Sequence, residues 1–160
     1  MEYHSRNAWN YIGGCMNKKI KLIIEIVIFV LILSVAYFVY YFNNENKEEK
    51  IKEAGSVGIV KITDENFEEE ILNSDKLVIL DFSSNYCPPC VAMLTTLIDI
   101  AKNNKDIKVA TINIDEEGTE DTVSKYEVSA TPTIIIFKDG KDISTLVGAI
   151  SEDKIMSEVK

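Results

Sequence analysis

The sequence predicts an α/β fold, with a mixed central sheet flanked by helices and preceded by one N-terminal transmembrane helix. Three observations lead to this prediction. Residues 22–42 form a long apolar run interrupted by only two polar residues. Residues 57–160 alternate between strand-like and helix-like patterns, and Asp139-Gly140 separates the last two strand-like runs as in a hairpin. Parallel crossovers followed by a hairpin produce a mixed sheet with helices on both faces.

The chain is short and acidic, which excludes several classes of protein. It has 160 residues and a formal net charge of −9, too little material for more than one ordinary domain. Residues 43–160 carry 13 lysines against 24 acidic residues, and a region with this excess of negative charge is not expected to bind nucleic acid. Three cysteines and a single histidine, His4, are too few for a four-ligand zinc site, and no flavin, haem or nucleotide motif is present. We therefore expect no metal and no cofactor.

Residues 22–42 are predicted to cross the membrane once. As a helix these 21 residues reach about 31 Å, which matches a hydrocarbon core of roughly 30 Å. Glu25 lies within one turn of the lysines that precede the run, so its carboxylate can reach the headgroups. Tyrosines near the far end of the run suit the opposite headgroup region. Residues 1–21 then form a short N-terminal segment.

The charge pattern before the apolar run predicts the orientation. Residues 16–21 resemble the basic start of an export signal, which places the N-terminus in the cytoplasm and the C-terminal domain outside the cell membrane. The same pattern raises the alternative that Met16 is the true start, with Cys15 in an extension. Residues 34–36 mimic a cleavage site, but cleavage there would leave the apolar residues 37–42 exposed, so we favour a retained anchor.

Residues 43–56 are predicted to be a flexible linker. The segment is polar, charged and poor in apolar residues, as is typical of disordered tethers. A coil of this length has a dimension on the order of 20 Å, so it would hold the domain close to the membrane.

The domain at residues 57–160 contains nine predicted elements. A β-branched run begins it, and Asp64 is placed to cap the helix that follows. The next strand is almost continuously apolar, as expected for a strand buried on both faces. Apolar residues at helical spacing, from Met93 to Ala101, mark the longest helix. In chain order we predict strand 57–63, helix 64–73, strand 77–82, helix 88–104, strand 107–114, helix 119–126, strands 133–138 and 142–147, and helix 152–159.

Two cysteines stand between the apolar strand and the longest helix, in the sequence Cys87-Pro88-Pro89-Cys90. The unpaired N–H groups and the positive dipole at a helix start favour a thiolate, which is the nucleophile in thiol–disulfide exchange. Proline lacks a backbone N–H, but N–H groups in the first turn of a helix have no intrahelical partner, so no hydrogen bond is lost there. The fixed φ of proline also makes this turn more rigid. We interpret Cys87 as the attacking, more exposed thiol and Cys90 as the resolving thiol.

Three other interpretations of the pair are half of a zinc site, a structural disulfide and two inert core thiols. Zinc lacks further ligands in this sequence. A disulfide across so short a loop adds little stability, because the gain grows with the length of the loop closed. A C-x-x-C pair at a strand-to-helix junction of an α/β pattern favours a redox role.

Residues 57–160 resemble the thioredoxin family from first strand to last helix, without insertion. The resemblance implies a thioredoxin fold and a redox-active dithiol of the CPPC type. It also implies that a cis peptide precedes Pro132 and that the backbone of Thr131 pairs with an extended substrate segment. Four motifs carry the resemblance: Leu80-Asp81-Phe82, Asn85-Tyr86-Cys87-Pro88-Pro89-Cys90, Ala130-Thr131-Pro132-Thr133 with residues 134–140, and Val147-Gly148-Ala149.

Asp81 is predicted to exchange a proton with Cys90. An acid inside an apolar strand is costly unless it is paired or neutral, so burial is expected to raise its pKa. The alternative is an acid at a strand end that reaches solvent, and the family position favours the proton relay. The catalytic residues are then Cys87, Cys90 and Asp81. Predicted substrate-binding residues are Tyr86, Pro88, Pro89, Thr131, Pro132, Gly148 and Ala149.

Several positions depart from the usual family pattern. Tyr86 stands where the family usually has tryptophan, and Thr95 stands where proline usually kinks the helix. Thr111 replaces a lysine that many thioredoxins have near the buried acid, which should leave Asp81 easier to protonate. Ser83 and Val91 also depart, from a usual aromatic and a usual basic residue. Substrate range and helix shape are therefore less well defined than the fold.

The direction of the reaction is predicted to be reduction of disulfides. No histidine lies between the cysteines, and Pro88 removes an N–H that would otherwise solvate the thiolate, so the thiolate is only moderately stabilised. The hypothesis is a membrane-tethered reductase of exported proteins that receives electrons from a separate transmembrane protein. Two alternatives stay open: a disulfide oxidase or isomerase, and a non-catalytic binding or accessory module whose groove lies around Tyr86, Thr131 and Pro132.

Overall fold

A computed structural model describes residues 17–159. The predictions for residues 1–16, including Cys15 and the alternative start at Met16, lie outside the described residues. The chain divides into two compact units, one ending at Glu45 and the other beginning at Asn46.

The first unit is the apolar part of helix α1, which begins at Lys18 and ends at Ser56. Its large apolar side chains are exposed in the structure, and the helix is long and apolar enough to cross a membrane. These properties are shared by membrane anchors and signal sequences. The predicted helix at residues 22–42 is therefore confirmed as a helix.

The segment at residues 46–56 differs from the predicted flexible linker, because it is helical and packs within the second unit. Ala54 is buried, and the Glu53 carboxylate lies 2.7 Å from the Lys102 ammonium. Glutamate, lysine and alanine are strong helix formers, so a polar composition does not exclude a helix that finds one face to bury. The segment is named here the proximal helix.

The second unit contains a five-stranded sheet in the order β1-β3-β2-β4-β5. Strand β2 pairs with β3 in parallel and with β4 antiparallel, so the sheet is mixed, as predicted. The strands are β1 Val60–Lys61, β2 Leu77–Ser83, β3 Ile107–Asn113, β4 Thr133–Lys138 and β5 Lys141–Val147.

Helices cover both faces of this sheet, as predicted. One apolar cluster joins Ile79 of β2 to Met93 and Ile155 on helices, and the other joins Leu80 of β2 to Phe67 and neighbouring side chains. Successive residues of a strand point to opposite faces, so β2 contributes to both clusters. The helical elements of the domain are a π-helical turn at Glu68–Leu72, α2 Pro88–Asn103, α3 Glu120–Lys125 and α4 Glu152–Glu158.

Two predicted elements at the start of the domain are wrong in extent. The strand predicted at 57–63 is only Val60–Lys61, since Gly58 with φ +87° breaks the extended backbone before it. The helix predicted at 64–73 is reduced to Glu68–Leu72 and begins after Phe67 rather than at Asp64.

Asp64 caps a different helix from the predicted one. Its carboxylate accepts hydrogen bonds from the backbone N–H groups of Asp121 and Thr122, at 3.2 and 2.9 Å, and from the Thr122 hydroxyl at 2.6 Å. Burial acts to raise the pKa of Asp64, but these hydrogen bonds together outweigh it and hold the pKa below its ordinary value. Asp64 thus joins the start of the domain to α3.

The predicted hairpin turn is confirmed. Asp139 and Gly140 both adopt positive φ, at +51° and +72°, and join β4 to β5. A Cβ at residue 140 would lie 2.5 Å from the carbonyl oxygen of Leu72, so the turn fits closely against the π-helical turn.

Candidate active site

The two cysteines lie where the sequence places them, between the end of β2 and the first turn of α2. Cys87 is the N-cap residue of α2 and is joined to Cys90 in a disulfide, with Cα atoms 5.3 Å apart. Pro88 and Pro89 occupy the first two helical positions. Backbone N–H groups at these positions have no partner within a helix, so proline costs no hydrogen bond there.

The surroundings of the two sulfur atoms differ. The backbone N–H of Cys90 donates to the Cys87 Sγ at 3.2 Å, so a helix N–H faces the predicted attacking sulfur. Both cysteines are largely buried, with 8% of Cys87 and 5% of Cys90 exposed. Next to them Tyr86 is 89% exposed, and both prolines are exposed as well. The dithiol therefore lies at the edge of an apolar, accessible surface.

The loop before β4 leaves the sheet at the same edge as the dithiol loop. Thr133 pairs with Phe82 across the antiparallel strands β4 and β2. The residues before Thr133 and the residues after Phe82 therefore leave the sheet at the same edge. The peptide between Thr131 and Pro132 is cis, as the resemblance implied. The carbonyl of Pro132 accepts a hydrogen bond of 2.8 Å from the N–H of Gly148, which ties the two predicted substrate loops together. Ala149, also predicted to bind substrate, is exposed beside Gly148.

Asp81 is buried, as predicted, with 1% of the residue exposed. It pairs with Thr111 on one side and with Ile134 on the other, in the middle of the sheet. Burial raises the pKa of its carboxyl group to about 7. Among residues 17–159, the Oδ1 atom has no hydrogen-bond partner. The carboxyl group can therefore hold or release a proton near neutral pH.

A cavity of about 310 Å³ brings Asp81 and Cys90 together. Its other walls are mostly apolar, and Thr111, the residue that replaces the usual lysine, lies on one of them. The proximal helix contributes Lys47, Ile51, Ala54 and Gly55 to the lining. This contribution was not predicted from the sequence, because residues 43–56 have the polar composition of a flexible linker. A helical periodicity that places residues 47, 51 and 54 on one face was the signal available.

A hydrogen-bond network that was not predicted from the sequence holds the loop before Cys87. The Asp115 carboxylate accepts from the Ser84 hydroxyl at 2.7 Å and from the Asn85 N–H at 2.6 Å. The Asn113 amide donates to Asn85 Oδ1 at 3.0 Å. Since β2 and β3 are parallel, residues after both strands meet at one edge, and this rule could have found Asp115.

A cysteine pair capping a helix, a buried acid sharing its cavity and a cis-proline loop at the same sheet edge together define a thiol–disulfide oxidoreductase. Comparison with known proteins gives the family. The chain belongs to the thioredoxin family, whose pattern matches residues 58–160.

The chain is similar to curated thioredoxins over this same region. The thioredoxin of Pseudomonas aeruginosa is 38% identical over 98 residues, which cover 61% of this chain and 89% of the relative. Thioredoxin C-2 of Corynebacterium nephridii is 35% identical over 100 residues, covering 62% and 92%. The thioredoxin of Rickettsia bellii is 39% identical over 97 residues, covering 59% and 90%. The likeness therefore spans nearly the whole of each relative but less than two thirds of this chain.

Proposed function

We propose that this protein is a membrane-tethered disulfide reductase that acts on exported proteins through Cys87 and Cys90. The observation that carries the activity is the cysteine pair at the start of α2, whose second member shares a cavity with the buried carboxyl group of Asp81. The tether is supported by the apolar helix α1.

The reaction begins with attack of the Cys87 thiolate on a client disulfide. A mixed disulfide forms between Cys87 and one client sulfur, the client S–S bond breaks, and the other client sulfur leaves as a thiolate that takes a proton from solvent. The N–H of Cys90, which faces the Cys87 Sγ, favours the attacking anion.

The second step releases the client. Cys90 gives up its proton, its sulfur attacks Cys87 Sγ, and the internal disulfide forms while the second client sulfur leaves as a thiolate. Two electrons have then moved from the dithiol to the client. Asp81 is the proposed proton acceptor for Cys90, because it shares the cavity and has a pKa of about 7.

The client is proposed to bind as an extended segment across the edge that holds both substrate loops. The exposed ring of Tyr86 and the prolines of the dithiol supply apolar contact. The backbone of Thr131 supplies hydrogen bonds, and the loop of Gly148 and Ala149 borders the groove. Backbone pairing favours any extended chain, so we expect a broad range of clients.

Reduction is the proposed direction because the structure offers few groups that stabilise the thiolate. The two residues between the cysteines are prolines, and Pro88 has no N–H to donate. A weakly stabilised thiolate makes the disulfide the favoured form and the dithiol a good donor. An equilibrium reduction potential of about −270 mV supports this direction, whereas a potential of about −180 mV favours the isomerase alternative and one of about −120 mV the oxidase alternative.

A domain outside the cell membrane needs electrons from the cytoplasm. We propose that a separate transmembrane protein donates them, since the sequence carries no flavin, haem or nucleotide motif. The orientation, with a cytoplasmic N-terminus, is supported by the resemblance of residues 16–21 to the basic start of an export signal.

The activity is tested with the full chain in detergent micelles, by following reduction of insulin disulfides with dithiothreitol as electron source. We expect turnover that Cys87→Ser abolishes and that Cys15→Ser, the matched control, leaves unchanged. Cys90→Ser should accumulate mixed disulfides with clients in cells. Absence of turnover together with retained client binding would instead support the accessory module.

The orientation is tested in intact cells that produce the Cys15→Ser variant, after treatment with a membrane-impermeant reductant. An impermeant maleimide should label the dithiol without permeabilisation. Labelling that appears only after permeabilisation would place the domain in the cytoplasm.

A further inference from the structure

The proximal helix reaches the redox site through one side chain, that of Lys47. Its ammonium group donates to Asn85 at two atoms, the backbone carbonyl at 3.3 Å and the side-chain Oδ1 at 3.2 Å. Asn85 stands two residues before Cys87 in the loop that leads from β2 to α2. A residue outside the thioredoxin-like region thus contacts the loop that carries the attacking thiol.

Asn85 makes hydrogen bonds to groups from distant parts of the chain. The Asp115 carboxylate binds its N–H at 2.6 Å, and the Asn113 amide binds its Oδ1 at 3.0 Å. Lys47 donates to the same Oδ1 atom and is also the donor to the Asn85 carbonyl. The loop is therefore fixed between a carboxylate that follows β3 and an ammonium group from the proximal helix.

The charges at this loop oppose one another. Asp115 brings a negative charge to the segment that precedes the dithiol. The Lys47 ammonium brings a positive charge to the same asparagine. One side chain, that of Lys47, therefore supplies both a positive charge and two of the hydrogen bonds that hold the loop.

The proximal helix is anchored independently of Lys47. Ala54 is buried in the domain core, its carbonyl accepts from the N–H of Ile59 at 3.0 Å, and Glu53 pairs with Lys102 of α2. The proximal helix is therefore packed against the domain by contacts that do not involve Lys47. Removal of its ammonium group is not expected to detach the helix.

We propose that Lys47 is a positioning residue of the redox site: it holds Asn85, and with it the loop that presents Cys87 to the client. The inference rests on the proposed reductase activity and extends its active site to a segment that precedes residues 58–160.

The test uses the full chain in detergent micelles and compares Lys47→Met, Lys47→Arg and Lys52→Met with the unchanged chain. Methionine keeps the length and helix propensity of lysine but has no ammonium group, whereas arginine keeps the charge and the donors. Lys52 is an exposed lysine of the same helix and serves as the matched control. The measurements are the second-order rate constant for reduction of a disulfide peptide, the rate of alkylation of reduced Cys87 by iodoacetamide, and the thermal unfolding midpoint.

We expect Lys47→Met to lower both rate constants roughly threefold to tenfold, which corresponds to the loss of one ordinary hydrogen bond. Lys47→Arg should retain most of the activity, and Lys52→Met should retain all of it. The effect of Lys47→Met should be smaller in an Asn85→Ala background, because alanine removes the Oδ1 contact with Lys47 and leaves only the carbonyl contact.

Four outcomes would overturn the inference: equal rates for Lys47→Met and the unchanged chain, equal losses for Lys47→Met and Lys52→Met, a loss of activity that follows the unfolding midpoint, or additive effects of Lys47→Met and Asn85→Ala. Failure of the proposed function itself is distinguishable, since the unchanged chain would then show no turnover.

Discussion

Asp81 is a single carboxyl group whose protonation affects both chemistry and stability. Its side chain lies in the centre of the sheet, where the charged form is poorly solvated, and its pKa rises to about 7. In the unfolded chain the pKa of the same group has its ordinary value of 3.8. The folded state therefore binds the proton more tightly than the unfolded state, and stability falls as the pH rises between these two values.

Asp81→Asn should remove this penalty. At pH values above the folded pKa we expect the variant to be more stable than the unchanged protein by roughly 4 kcal/mol, and below the unfolded pKa by almost nothing. Urea unfolding across this pH range measures the difference, with the exposed Asp106→Asn as control. A stability gain that does not vary with pH would contradict the prediction.

Thr111 offers a second test of the same group, because it pairs with Asp81 across the sheet and lines the same cavity. Thr111→Lys should place an ammonium group near the carboxyl and lower the pKa of Asp81 by about one unit or more. Thr111→Met has a similar length without the charge and should not lower it. Titration of the Asp81 carboxyl carbon by NMR distinguishes the two, and equal pKa values in both variants would refute the electrostatic explanation.

At the scale of elements, the hairpin turn depends on the absence of a side chain at residue 140. Gly140→Ala should destabilise the domain by about 1–2 kcal/mol for its positive φ and by a further 1–3 kcal/mol because its Cβ would meet the Leu72 carbonyl. Gly118 also has positive φ, +79°, but open space around it, so Gly118→Ala should show the first cost alone. Chemical unfolding of both variants separates the cost of the positive φ from the cost of the steric contact with Leu72. Equal losses of unfolding free energy in the two variants would mean that the turn at residue 140 shifts to avoid the contact.

Elements with strong local patterns could be predicted from the sequence to within about a residue, and those that depend on distant contacts could not. Strand β2 is continuously apolar, and α2 starts at two prolines, so both were found. Asp64 has the residue type and spacing of a local N-cap but binds Thr122 instead, since the capped helix is 58 residues away. The proximal helix was not predicted for a related reason: the domain surface that buries Ala54 cannot be recognised from a local sequence pattern.

At the scale of the whole molecule, the residue types of the candidate site could be predicted from the sequence. The distant residues that hold its loop in place could not. The cysteines, the buried acid and the cis-proline all stand in short motifs, so their identity could be predicted from the chain alone. Lys47 and Asp115 come from segments 38 and 30 residues away from Asn85, and only the packed structure brings them to it.

The excess of negative charge predicts which clients react fastest. Residues 43–160 carry 13 lysines and 24 acidic residues, so long-range attraction should favour a basic client. We expect reduction of a basic disulfide peptide to slow by about tenfold between roughly 0.01 M and 1 M salt, as the screening length falls from about 30 Å to about 3 Å. An acidic peptide of the same length should show the opposite trend, and the same salt response for both would argue against steering by the domain's charge.

Strand β2 is paired on both sides, and the dithiol loop follows directly from its end. Amide hydrogens in the interior of a sheet exchange with solvent only when the surrounding structure opens, so the backbone that presents Cys87 begins from one of the slowest-exchanging regions of the fold. The loss of conformational freedom on complex formation then falls mainly on the client. Cysteines in unfolded segments should be the ones that this rigid surface selects, since a folded client would first have to unfold locally around its own disulfide.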